Sequence, residues 1–123
     1  MFSAQTLAKA DAARVFVAPP GLQTRTRLTP TTLMEVVAPR RITPADPAWA
    51  ALAAALQHAT VAAAPSEREV RLGVVLEAAG APIGQAFLSQ ADAAQHDRVY
   101  AVVDGQPGSA DAGLARAIAA AGA

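Results

Sequence analysis

The most regular alternation of apolar and polar residues lies in the stretch from Glu69 to Ser89. One side of a period-two pattern in its first half carries Val70, Leu72, Val74 and Leu76. The other side carries Arg71 and Glu77. Such alternation is typical of a strand that buries one face, so we predict that the apolar side faces the helices. The polar side is expected to face water or a partner.

The second half of this stretch predicts the return strand of a β-hairpin. The residues from Ala79 to Pro82 are small or turn-forming, and Ile83, Gln85 and Phe87 alternate after them. Three further segments have strand character, namely Arg14–Ala18, the short edge candidate Arg41–Thr43, and Arg98–Val103. The dense valine of the last segment predicts a central or well-covered strand.

Two Pro-containing signals predict helices. Thr29 precedes Pro30, and because Pro39 excludes the helical conformation from the residue before it, the helix should run from Pro30 to about Val37. Asp46-Pro47 starts a second helix that should reach His58. Its apolar stripe consists of Trp49, Leu52 and Leu56. We expect Trp49 to be buried in the main core, on the helix that covers the hairpin.

The C-terminal region predicts a turn followed by a helix. Residues Asp104–Gly108 have turn composition, and Ser109 is the expected N-cap of a helix that carries Leu114 and Ile118. Together these elements predict a single α+β domain over residues 1–123. It should be a small two-layer domain, an antiparallel β-sheet with about three α-helices on one face. Residues 1–12 are expected to form a loosely ordered arm.

Composition narrows the possible functions. The apolar fraction of 53% contains 34 alanines, so burial energy must come from the fewer large side chains. The formal net charge of zero gives no global field for nucleic acid or an anionic membrane, and neither is expected as a partner. No apolar run approaches the roughly 20 residues that span a bilayer, which predicts a soluble and preferably cytoplasmic protein. A signal cleaved from a longer precursor stays open. Nine Arg against one Lys, with so much Ala, is typical of a GC-rich, bacterial coding sequence.

Few residues suggest catalysis or metal binding. There is no cysteine, which excludes disulfides and thiolate chemistry. His58 is expected at a helix C-terminus, where a cation interacts well with the dipole. Asp92 and His96 lie four residues apart, but third and fourth metal ligands are missing nearby. No serine lies in a Gly-x-Ser-x-Gly elbow. We therefore predict no catalytic residue, no metal and no cofactor.

One local excess of charge supports an alternative function. Arg25, Arg27, Arg40 and Arg41 form it, and bidentate arginine contacts suit a phosphate or a carboxylate. In that alternative the domain binds an anion or is a small enzyme, with His96 or Asp92 as acid or base. A solvated surface explains the same residues without any ligand.

The leading interpretation is a non-enzymatic domain that binds another protein or its own copy, in the second case as a homodimer. An antiparallel sheet has edges that invite strand pairing. If one face of the sheet lies under helices, the other should expose an apolar patch of Val75, Tyr100 and Val102. A contiguous patch of this kind usually marks an interface. We expect it to be where the partner or the second copy binds.

Overall fold

The computed structural model describes residues 1–63, 66–90 and 97–123. Across these residues the chain forms a seven-stranded, fully antiparallel sheet and four helices. The strands are β1 Ala12–Val17, β2 Arg40–Ile42, β3 Val61–Ala62, β4 Leu72–Ala78, β5 Ala81–Leu88, β6 Arg98–Val103 and β7 Gln106–Asp111. The helices are α1 Ala4–Lys9, α2 Pro30–Val36, α3 Trp49–His58 and α4 Ala112–Ala121. The strand order is β2-β1-β4-β5-β6-β7-β3, so the predicted α+β class with an antiparallel sheet is confirmed.

The predicted hairpin is the centre of the sheet. β4 and β5 are joined by the two residues Ala79 and Gly80, whose φ angles are 53° and 80°. Two positive φ values are the mark of a type I′ turn, which matches the twist of antiparallel strands. The Asp11 carboxylate fixes this turn by accepting a hydrogen bond of 2.9 Å from the Ala79 amide. Pro82 is part of β5 and lies opposite Glu77, next to a bulge in the ladder.

Helices α1, α3 and α4 cover one face of the sheet, which we call the first face. α4 contacts β1, β4, β6 and β7, whereas α3 packs mainly against α4. This explains why Trp49 is only half-buried rather than central: its helix lies on another helix and not on the hairpin. Leu52 and Leu56 from the same stripe are fully buried.

The first residues belong to this layer. In place of the loosely ordered arm that the sequence suggested, α1 packs on the core through Leu7, which is 9% exposed. The ring of Phe2 lies against Gly84 of β5, where a Cβ atom would come within 2.9 Å of it. The glycine therefore makes room for the aromatic ring, a relation that no periodicity in the sequence reveals.

The opposite, second face is also covered in part, which corrects the expectation of helices on one face only. α2 lies on it, and so does the segment of residues 18–29, which we call the strap. Leu33 of α2 packs there with Val75, and both are essentially inaccessible to water. The expectation that Val75 is exposed is therefore wrong, because a second hydrophobic cluster covers it. Val70 also joins this cluster rather than the first face, since it precedes β4 and its amide donates to Leu28 of the strap.

Gly73 lies at the centre of the second cluster. It stands directly opposite Phe16 of β1 on one side and Phe87 of β5 on the other. The two rings approach to 6.5 Å between centroids, and a Cβ atom on Gly73 would lie 2.5 Å from the Phe87 ring. The missing side chain is thus what allows two aromatic rings from the strands on either side of β4 to meet.

The largest difference from the sequence analysis is β7. Ser109 does not cap a helix; it is a buried residue of a strand that pairs with β6 along its whole length. Asp104 and Gly105 form the connecting turn, with φ angles of 48° and 82°. α4 begins only at Ala112, and the preceding Asp111 makes no side-chain cap. Asp-Gly is a strong hairpin signal, but the low β-propensity of Gln-Pro-Gly-Ser-Ala-Asp concealed the strand that follows it.

Candidate functional site

The second face of the sheet is covered over one half and open over the other. α2 and the strap lie over β1, β4 and β5, where Phe16 and Phe87 are buried. A row of directly paired residues continues from Phe87 to Val102 on β6 and then to Pro107 on β7. Val102 is half-buried and Pro107 is exposed. The row of apolar residues therefore begins in the buried second cluster and reaches the surface on β6 and β7.

An elongated depression, which we call the trough, occupies this open half. It consists of two adjoining hollows of about 790 Å³ and 420 Å³ that share Ser66 and Tyr100. The larger hollow reaches Arg98 and the smaller one reaches Val102 and Gly105. At the rise of an antiparallel strand, the four steps from Arg98 to Val102 cover about 13 Å. As far as residues 1–63, 66–90 and 97–123 define them, both hollows are open to solvent along one side.

One wall of the trough is the segment of residues 66–71, which is held from behind by the strap. The Arg71 guanidinium donates to the backbone oxygens of Pro19 and Leu22, at 2.8 and 3.3 Å, and to the Glu69 carboxylate at 2.8 Å. Glu69 in turn accepts from the amide of Leu28. These bonds tie both ends of the strap to the wall.

The charge state of Glu69 follows from these contacts. The hydrogen bond from Arg71 holds the pKa of the Glu69 carboxyl below its ordinary value of 4.5. Partial burial acts against this effect, and the amide of Leu28 supports it. The contact between the Arg71 guanidinium and the Glu69 carboxylate, which we call the clamp, is therefore an ion pair at neutral pH.

A second arginine closes the far end of the trough. Arg98 donates to the side chain and backbone oxygens of Ser109, to both oxygens of Thr60 and to the Asp111 carboxylate, at 2.7 to 3.3 Å. Thr60 also donates its amide to Asp111. All three nitrogens of the Arg98 guanidinium are thus used to fasten the chain before β3 to β6 and β7. Arg98 has a structural explanation that needs no ligand.

Tyr100 is the centre of the trough. Burial raises the pKa of its hydroxyl, the nearby Glu67 carboxylate raises it further, and Arg27 lowers it. The hydroxyl is therefore protonated at neutral pH and can donate a hydrogen bond. Within the described part of the chain, neither this hydroxyl nor the exposed Arg68 has a hydrogen-bond partner. Both groups line the larger hollow.

The four arginines of the predicted anion cluster belong to different surroundings. Arg40 donates to the carbonyls of Ala121 and Ala123 at the end of α4, which places it on the first face. Arg41, next along β2, stands opposite Arg14 of β1. Their role as an anion site stays a prediction.

The other two arginines of that cluster lie in the strap, which is not a strand at this point. Arg27 donates to the backbone oxygen of Glu67 in the trough wall, at 3.2 Å. Arg25 is exposed. Of the four arginines, Arg27 is therefore the one that the structure places against the wall of the trough.

The predicted interface residues are divided by the structure. Tyr100 and Val102 line the trough, whereas Val75 lies in the second cluster. His58 is the last residue of α3, as expected. Asp92 and His96 lie outside the described residues. Within residues 1–63, 66–90 and 97–123, no three His, Asp or Glu side chains are grouped as metal ligands would be.

Comparison with known proteins gives no further guidance: no protein-family model, curated protein or solved structure matches this chain. Among its described residues, no helix combines the length and the apolar character that crossing a membrane requires.

Sequence reasoning identified two residues of the trough but not the trough itself. Ser66 and Arg68 precede a strand, and Ser109 resembled a helix cap, so nothing in their local pattern brought them to one place. Their proximity depends on the pairing of β7 with β6 and β3. The Asp104-Gly105 pair was the available signal, since it predicts that the chain returns along β6.

Proposed function

We propose that this chain is a non-enzymatic protein-interaction domain, and that the trough binds an extended segment of a partner protein. The observation that carries the proposal is the apolar row from Phe87 through Val102 to Pro107, which runs from the buried second cluster into an open trough. Tyr100 lies beside this row, and tyrosine is enriched among residues that dominate binding energy.

The shape of the trough favours a polypeptide segment over a compact ligand. Small-molecule sites usually enclose most of the ligand surface. This trough is open along its length, and about 13 Å from Arg98 to Val102 corresponds to four residues of an extended chain. An apolar floor between polar walls is the usual composition of a protein interface.

The edges of the sheet are a less suitable place for association than its face. β2 has three residues, two of them arginines, and β3 has two residues. Short, charged edge strands are a common way of preventing strand pairing between chains. The contact is therefore expected on the open half of the second face rather than at an edge of the sheet.

The experiment is a selection of binding peptides from a random library displayed on phage, with the purified chain as bait. Selected peptides are then titrated by fluorescence anisotropy against the wild type and against the double variant Tyr100→Ala, Val102→Ser. We expect the double variant to bind at least tenfold more weakly, because it removes the ring and the apolar floor. Its melting temperature, measured in parallel, shows whether the fold persists.

Val36→Ser is the matched control, since Val36 is 51% exposed on α2 and away from the trough. It should bind the selected peptides as the wild type does. Unchanged binding by a folded double variant would overturn the proposal. A concentration-dependent dimer in native mass spectrometry, lost in the double variant and kept in Val36→Ser, would identify the partner segment as part of a second copy.

A further inference from the structure

We infer that the trough recognises an acidic side chain of the bound segment, through the Arg68 guanidinium, the Tyr100 hydroxyl and the neighbouring Arg27. This inference rests on the proposed function and specifies its ligand. Some polar groups around the trough are already bonded within the domain, whereas others still offer hydrogen bonds to a ligand.

Most charges around the trough are paired internally. Arg71 is bound to Glu69 and to two strap carbonyls, and Arg98 is bound to Asp111 and its neighbours. The carboxylates of Glu69 and Asp111 are likewise occupied, the first by Arg71 and the Leu28 amide, the second by Thr60 and Arg98. Groups held in this way form the walls of the trough rather than its recognition chemistry.

The groups that remain available are mainly hydrogen-bond donors. Arg68 is exposed and lines the larger hollow beside Tyr100. Arg27 uses one terminal nitrogen on the Glu67 carbonyl, at 3.2 Å, which leaves its other N–H groups for a ligand. The Tyr100 hydroxyl, protonated at neutral pH, is a third donor. Among the described residues the acidic group that acts on Tyr100 is Glu67, so within this part of the chain the two arginines exceed it by one positive charge.

Three donors with one excess positive charge fit a carboxylate. A carboxylate is a bidentate acceptor for arginine, and it also accepts from a phenol hydroxyl. A half-buried tyrosine normally finds a partner for its hydroxyl. Among the described residues the hydroxyl of Tyr100 has no protein acceptor, and it is not one of the buried atoms without a partner, so water reaches it in the free domain. A segment that covers Tyr100 and displaces this water is expected to supply the acceptor. An acidic residue placed over Tyr100 would satisfy the hydroxyl and both arginines together.

The test is a double-mutant cycle on a peptide selected with the wild-type chain. Each Asp or Glu of the peptide is replaced by its amide, and both peptides are titrated against the wild type and against Arg68→Gln. At one acidic position of the peptide, we expect the amide substitution to weaken binding to the wild type about tenfold. The same substitution should hardly change binding to Arg68→Gln, because the arginine that pairs with the carboxylate is already absent in that variant. Tyr100→Phe, which removes only the hydroxyl, should weaken the same position.

Arg116→Gln is the matched control, because Arg116 is an exposed arginine of α4 and equally changes the net charge. With Arg116→Gln, replacing the acidic residue of the peptide by its amide should still weaken binding about tenfold, as it does with the wild type. Added salt should weaken binding of the acidic peptide to the wild type more than binding of its amide form.

The outcomes separate the inference from the proposed function. Peptides that bind through Tyr100 and Val102 but tolerate every amide substitution would overturn the inference and leave the proposed function standing. An equal loss in the wild type and in Arg68→Gln would also overturn it, since the carboxylate would then lie elsewhere. Failure to select any peptide that depends on the trough would overturn both.

Discussion

The two faces of the sheet are stabilised in different ways. On the first face three helices bury a continuous cluster, and among the described residues no ion pair links those helices to the strands beneath them. Arg40 of β2 only donates a hydrogen bond to the carbonyl of Ala121 at the end of α4. On the second face a seven-residue helix and the strap cover half of the sheet, and the strap is fastened by Arg71 and Glu69. Apolar contacts are non-directional, whereas the clamp depends on two charged groups in one geometry.

This difference explains where a binding surface can exist. On the first face the packed helices bury most of the large apolar side chains, as Leu52, Leu56 and Leu114 show with at most 2% exposure. Among the described residues the second face has too few covering residues, so the apolar row continues past Phe87 to the half-buried Val102 and the exposed Pro107. The trough is thus a consequence of incomplete coverage, and its wall is held by polar contacts rather than by burial.

The largest expected effects come from equal truncations on the two faces. Leu56 of α3 and Leu33 of α2 are both fully buried, so each Leu→Ala change removes the same atoms. We expect Leu56→Ala to cost about 3–5 kcal/mol of the free energy of unfolding and Leu33→Ala about 2–3 kcal/mol. The second site is expected to collapse more easily, because α2 is short and has no helix above it. Urea denaturation of both variants measures the difference.

The comparison would break if Leu33→Ala proved as costly as Leu56→Ala. That result would mean that the second cluster is as rigid as the first, and that the strap does not move to fill the cavity left by the truncation. A smaller cost for both than about 2 kcal/mol would mean that neither cavity persists.

A smaller effect is expected where the second cluster depends on a missing side chain. Gly73→Ala would place a methyl group 2.5 Å from the Phe87 ring, which must then shift away from Phe16. Such overpacking should cost about 1–3 kcal/mol. Gly21→Ala is the control in the strap, since a Cβ atom there would contact nothing within 4 Å. Equal thermal stability of the two variants would show that the Phe16–Phe87 contact contributes little.

The burial of β4 on both faces was partly visible in the sequence. Alternation predicted the side that carries Leu72, Val74 and Leu76, which the structure buries on the first face. The other side carries Gly73 and Val75, which are not polar, and Phe16 and Phe87 on the partner strands face them. A strand with apolar residues on both sides is typical of burial on both faces. That signal was outweighed by Arg71 and Glu77, which lie at or beyond the ends of the buried region.

Other parts of the fold were predictable for local reasons, and the site was not. Helix α2 lies within one residue of the prediction because Thr29, Pro30 and Pro39 act on their own neighbours. β6 matches its predicted limits because its residues favour strands. The trough instead combines residues from the 66–71 wall, β6 and β7, and no local preference determines that combination.

The smallest effect concerns the clamp, which distinguishes the second face from the first. The pKa of Glu69 is lowered in the folded chain, chiefly by the hydrogen bond from Arg71. The clamp therefore contributes stability that is fully present above the unfolded pKa near 4.5 and is lost as the pH falls through the lower folded value. Because the Glu69 side chain is 35% exposed and screened by water, we expect this contribution to stay below about 1 kcal/mol.

The pH dependence of unfolding isolates this contribution when Glu69→Gln is compared with the wild type. Between pH 6.5 and pH 3 the urea midpoint should fall further in the wild type, because the amide that replaces the carboxyl group in the variant cannot be protonated in that range. Glu35→Gln is the control for the loss of one negative charge, since Glu35 is exposed on α2. This variant should lose as much stability on acidification as the wild type does. If Glu69→Gln and the wild type lose the same stability on acidification, the clamp does not hold the strap, and the second face must be stabilised by its apolar cluster alone.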